Sequence, residues 1–140
     1  MEELYYESNV LRLSYSRDMN MGKAEWRGFL SSKEFRENGL RCLEFITAYN
    51  ISRWQADQRQ MLAIRQQDLQ WVIAEFMPQL LASPLRRMAI IVSGDIFNNM
   101  AMEQLFKRSS NFGDLIIKEF DAEDEAFEWL KTPIPAAVAQ

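Results

Sequence analysis

The sequence predicts one α/β domain: a mixed, mostly parallel sheet with an N-terminal antiparallel hairpin and about four helices. Three observations carry this expectation. Apolar and polar residues alternate with period two over residues 10–15 and again over 23–27, with the polar, turn-forming stretch 17–22 between them. Met88-Ala89-Ile90-Ile91-Val92 is an unbroken apolar run of strand length, as in strands buried on both faces. After the first helix, strand-like and helix-like segments alternate three times, which is the pattern of right-handed crossovers between parallel strands.

In chain order, Tyr5-Tyr6 is an edge strand or a lead-in, and Leu11, Leu13 and Tyr15 share one face of the next strand. Ala24 and Trp26 lie on the core face of its hairpin mate. Ser31 followed by Glu34 forms a capping box, each side chain accepting from the other residue's amide. The helix it opens carries Phe35, Cys42, Leu43 and Ile46 at helical spacing and ends near Tyr49-Asn50. Residues 51–57 form a strand with Trp54 and Ala56 on one face, and Asp57-Gln58-Arg59-Gln60 is its exit. A second helix begins at Gln67-Asp68, with Leu69, Val72, Ile73, Phe76, Met77 and Leu80 as its stripe. Pro78 kinks that helix or marks its last turns. The apolar strand spans 87–93, and a third helix over 99–108 turns Ala101, Met102, Leu105 and Phe106 inward. Residues 115–120 form the last strand. Asp121 then caps a fourth helix, whose Glu123, Asp124 and Glu125 complement the helix dipole. The expected division is a domain over 1–132 and a flexible tail over 133–140.

Composition narrows the function. A chain of 140 residues, 48% hydrophobic, can bury a core without staples, and the single Cys42 leaves no intramolecular disulfide. The start of the chain lacks a basic and apolar leader, and no apolar run approaches a membrane span; the expectation is a cytoplasmic protein. A net charge of −4 argues against nucleic acid, whose phosphates select a basic surface. The absence of histidine removes the commonest general base and metal ligand, and no P-loop or Gly-x-Gly-x-x-Gly run follows a strand. The chain is therefore expected to carry no cofactor, metal or catalytic residue. An enzyme using Asp57 or Asp95 as its base is the alternative.

Open α/β sheets bind ligands outside the carboxyl ends of their parallel strands. Two such exits are polar here, Asp57-Gln58-Arg59 and Ser93-Gly94-Asp95. If their strands are neighbours, Asp57, Arg59, Ser93 and Asp95 converge, and an Asp–Arg pair fixes a ligand carboxylate or amide. The plainer reading makes the aspartates caps and Arg59 a structural partner. Trp71 lies about 200° around its helix from Leu69, off the apolar stripe and beside Glu75. It contacts a protein partner, a dimer mate or a loop, or else a neighbouring segment covers it. Cys42 on its apolar stripe reads as a buried small hydrophobe. Met88 and Met102 read as packing, while Met19, Met21, Met61 and Met100 are candidates to line an opening.

The order of elements, together with residues 26–35 (Trp-Arg-Gly-Phe-Leu-Ser-Ser-Lys-Glu-Phe), Trp54-Gln-Ala-Asp57-Gln-Arg59 and residues 120–130, resembles the SpoIIAA-like, or STAS-like, small bacterial domains. The resemblance implies a mixed sheet with helices mainly on one side. In the regulatory members, anti-sigma-factor antagonists, a serine after the strand-exit aspartate is phosphorylated. Asp57 matches that motif, but Gln58 replaces the phospho-acceptor and the following glycine is absent. The implied function is a non-enzymatic interaction or regulatory module. Asp57, Gln58, Arg59, Trp71, Ser93 and Asp95 are its contact residues, with a protein partner or a second copy as the mate. The alternative is a carrier or sensor of a small, lipid-like apolar ligand, held between sheet and helices with Arg59 gripping its polar head.

Overall fold

In the computed structural model, residues 2–62, 64–92 and 114–134 are described. The expected helix at 99–108, the Ser93-Gly94-Asp95 exit and the tail beyond 134 lie outside them.

Among the described residues six strands form one sheet in chain order: β1 (Glu2–Glu7), β2 (Leu11–Ser16), β3 (Met21–Gly28), β4 (Arg53–Met61), β5 (Arg87–Ile91) and β6 (Ile116–Phe120). β1, β2 and β3 pair antiparallel, and β3 through β6 pair parallel. The sheet is thus mixed and mostly parallel, with the hairpin strands at one edge. Local chemistry fixes the hairpin's corner. Asn20 takes a left-handed φ of 50°, as asparagine tolerates better than most residues, and donates to the Asn50 carbonyl at 2.7 Å. That bond ties the β2–β3 turn to the end of the first helix.

Three helical bodies pack on the sheet among the described residues. α1 (Ser32–Ala48) opens with the expected capping box: the Glu34 amide donates to Ser31 Oγ at 3.1 Å, and the Ser31 amide to Glu34 Oε1 at 2.9 Å. The second body is composite: α2 (Gln66–Trp71), a π-helical turn (Val72–Phe76), then α3 (Met77–Leu81). α4 (Glu123–Leu130) closes the described chain. Its cap is not Asp121. The extended residue before the helix is Ala122 (φ −134°, ψ 147°), so Asp121 stands one position too early to serve as the N-cap. Asp124 instead accepts from the Glu125 amide at 2.9 Å.

α1 and the composite helix cover one face of the sheet, over a core that includes Leu13, Trp26, Phe45, Trp54, Leu69 and Leu80. α4 covers the other face, where Ala126 and Leu130 pack on Met21, Ala89 and Ile91. β5 is sandwiched: Ile90 faces the first core while Ala89 and Ile91 face the second, which is why its sequence shows no polar alternation. Arg53 caps the far end of α4, donating from Nε to the Leu130 carbonyl at 2.6 Å and from Nη2 to the Thr132 carbonyl at 3.3 Å.

One boundary differs in a way that matters for function. β4 does not end at Asp57 but runs on to Met61, because its pairing with β3 continues through Arg27↔Gln60 and Gly28↔Met61. The expected strand exit at residues 57–60 is therefore the interior of a strand, and its side chains are divided between the two faces of the sheet.

Candidate functional site

Two backbone irregularities frame the site. The first is a bulge in β4. Glu25 pairs with Asp57 but Arg27 pairs with Gln60, so Gln58 and Arg59 together oppose the single residue Trp26. Strict alternation would put Trp54, Ala56, Gln58 and Gln60 on one face. The extra residue resets the alternation, so that Trp54, Ala56, Gln58 and then Met61 line the α1 side while Gln60 is exposed.

The second is the π turn, in which the Met77 amide bonds to the Val72 carbonyl five residues back. Pro78 follows directly. It has no N–H for the Ala74 carbonyl, and its ring crowds that carbonyl in a regular α-helix. The wider turn accommodates both problems. It also re-aims side chains. In a regular α-helix Trp71 and Phe76 stand about 140° apart; here their rings lie 5.6 Å apart, tilted by 36°. Phe35 of α1 meets Trp71 edge-on at 6.2 Å, and Gly39 of α1 lies against the Trp71 ring. Trp71 is accordingly half-buried under α1, and its ring faces inward.

Between these features lies a cavity of about 100 Å³. Its walls include Trp26, Phe35, Trp54, Trp71, Phe76 and Met88, and among the described residues no Asp, Glu, Lys or Arg side chain lines it. Gln58 supplies the polar group. Its Oε1 is buried and accepts no hydrogen bond from the described residues, an unsatisfied state that buried amides rarely keep. Cys42 also lines the space; burial pushes its thiol pKa up, so it stays protonated and apolar in character.

The neighbours of Gln58 in sequence serve the opposite face. Asp57 accepts Arg59 Nη2 at 2.6 Å and Arg59 Nε at 3.0 Å, and Arg59 reaches on to Glu123 of α4 at 3.4 Å. Lys23 joins from β3, pairing with both Glu2 and Glu123. Partial burial opposes ionisation of Asp57, but its bonds to Arg59 outweigh it and hold the carboxyl below the usual range. Burial likewise opposes the Lys23 charge, and Glu2 and Glu123 outweigh it and raise its pKa. Arg59 is raised by its hydrogen bond to Asp57.

Of the residues singled out in the sequence, Asp57 and Arg59 come together with each other. Gln58 and Trp71 come together at the cavity, and Ser93 and Asp95 lie outside the described residues. Arg59 is not among the lining residues of the cavity, whereas Gln58 is. Sequence reasoning missed Glu123 as the partner of Arg59 and Lys23. It also missed Asp68, whose buried carboxylate accepts Ser32 Oγ at 3.0 Å and Arg36 Nε at 3.2 Å, locking α1 to α2. The period-two count from Trp54 through Ala56 to Gln58 separates Gln58 from Asp57 and Arg59 once the pairing with β3 shows that the strand continues past Asp57.

Among the described residues no cluster of His, Cys, Asp or Glu is placed to hold a metal ion, and no helix is long and apolar enough to cross a membrane. Compared with family models, with curated proteins and with solved structures, the chain matches none.

Proposed function

We propose that the protein binds a small apolar ligand in the cavity between β4 and the α1–α3 helices, as a carrier or sensor without a reaction of its own. The observation that carries this reading is the cavity itself: apolar walls, no charged side chain among the described lining residues and one orphaned amide oxygen, the composition of a small-molecule pocket rather than of a packing defect. The bulge and the π turn support it, since both kinds of irregularity recur beside functional sites and both turn side chains toward this space. Asp57 and Arg59 are engaged with one another and with Glu123, which is why the cavity rather than that pair carries the reading.

Toluene is a suitable probe. A ligand of seven heavy atoms at roughly 0.7 kcal/mol per atom gains about 5 kcal/mol, a Kd of a few hundred micromolar. At about ten times that Kd it stabilises the fold by ~1.4 kcal/mol, a rise in Tm of roughly 3–6 °C. Ala56→Leu and Cys42→Leu, each adding carbon to the cavity wall, are expected to abolish the rise. A wild-type Tm indifferent to toluene refutes the assignment.

A further inference from the structure

We infer that the ligand is a monocyclic phenol, its ring filling the cavity and its undissociated hydroxyl bonded to Gln58. This inference rests on the reading of the cavity as a ligand site. Size comes first. An apolar cavity of about 150 Å³ holds one benzene molecule, and the space here is about 100 Å³. One ring fits if the flexible Met61, Met77 and Met88 in the wall yield slightly. The body of a fatty acid or a phospholipid does not, so the lipid-like ligand expected from composition gives way to a smaller one.

Shape and polarity narrow the class. The walls present aromatic faces and edges, with Trp71 tilted on Phe76 and Phe35 edge-on to Trp71, a lining that suits a flat ring by stacked and edge contacts. A carboxylate or phosphate finds no counter-charge among the described lining residues, and an ion buried without one is strongly disfavoured. A hydrocarbon leaves Gln58 Oε1 without a partner. A single hydroxyl on an apolar ring meets every condition: it donates to the amide oxygen and brings no charge. A phenol, with an acidity like that of tyrosine near pH 10, is neutral at pH 7.

The test compares p-cresol with toluene, which differ by that one hydroxyl, by calorimetric titration of the wild-type protein and of Gln58→Leu. Wild-type protein is expected to bind p-cresol at least as tightly as toluene. Gln58→Leu is expected to weaken p-cresol by about tenfold or more, while toluene stays within about twofold, because only the hydroxyl loses its partner. Gln58→Met repeats the comparison if the leucine variant does not fold. Toluene binding with no effect of Gln58 on p-cresol overturns the phenol assignment and leaves the ligand site standing. Failure of both probes to bind wild-type protein overturns both.

Discussion

Asp57, Gln58 and Arg59 are consecutive, yet they serve opposite faces of the sheet. Asp57 and Arg59 hold each other and Glu123 beneath α4, whereas Gln58 enters the cavity under α1. The difference has a measurable acid–base consequence. Because the folded Asp57 carboxyl is held below its unfolded value, its contribution to stability is fully present above about pH 4 and is lost as the pH falls through the lowered folded value. Asp57→Asn is expected to flatten the acid limb of a stability–pH profile below about pH 4 and to leave the slope between about pH 6 and 8 unchanged. Urea titrations across that range check it; an acid limb identical to wild type contradicts the pairing. The residue identities at this site were legible in the sequence, and their grouping was not. The residues read as one polar exit because the strand was expected to stop at Asp57, and polar side chains within a strand look the same as polar side chains after it. Only the pairing partner on β3 shows that the ladder continues.

The elements themselves follow closely from local chemistry. The Ser31–Glu34 capping box, the period-two strands at the hairpin and the doubly buried β5 are each visible as patterns with a single physical meaning. The composite helix departs from its pattern for a reason equally physical. A 100° rotation per residue puts Trp71 about 140° from Phe76, and that arithmetic holds only while every turn is an α turn. Pro78 signals trouble in the helix, but a kink, an ending and a π turn all answer it, and the sequence does not choose among them. The π turn holds one residue more than a regular turn, and Pro78→Ala removes the missing N–H and the ring that favour it without removing a lining side chain. The Pro78→Ala variant is expected to keep a cooperative unfolding transition while toluene affinity falls by at least tenfold, as the helix relaxes to an α register with every residue kept and Trp71 and Phe76 rotate apart. Full affinity in the Pro78→Ala variant contradicts the role assigned to the turn.

At the scale of the molecule, one sheet carries two unlike faces. The α4 face is closed by charge and carbonyl capping: Lys23, Arg59 and Glu123 form a network at one end of the helix, and Arg53 takes its last carbonyls at the other. The α1–α3 face is closed by aromatic and methionine side chains that do not quite fill it. The fold class was legible because chain order and strand order coincide, so each helix-like segment between strands reads directly as a crossover. The cavity was not legible, since it arises from two single-residue irregularities on different elements, and neither has meaning until the elements meet. Methionines on the two faces provide a direct test, by 13C-methyl NMR during a toluene titration. The resonances of Met61, Met77 and Met88, which line the cavity, are expected to shift together and saturate, while those of Met19 and Met21 on the α4 face stay in place. Shifts absent at saturating toluene, or spread equally over both faces, would contradict a ligand site between β4 and the α1–α3 helices.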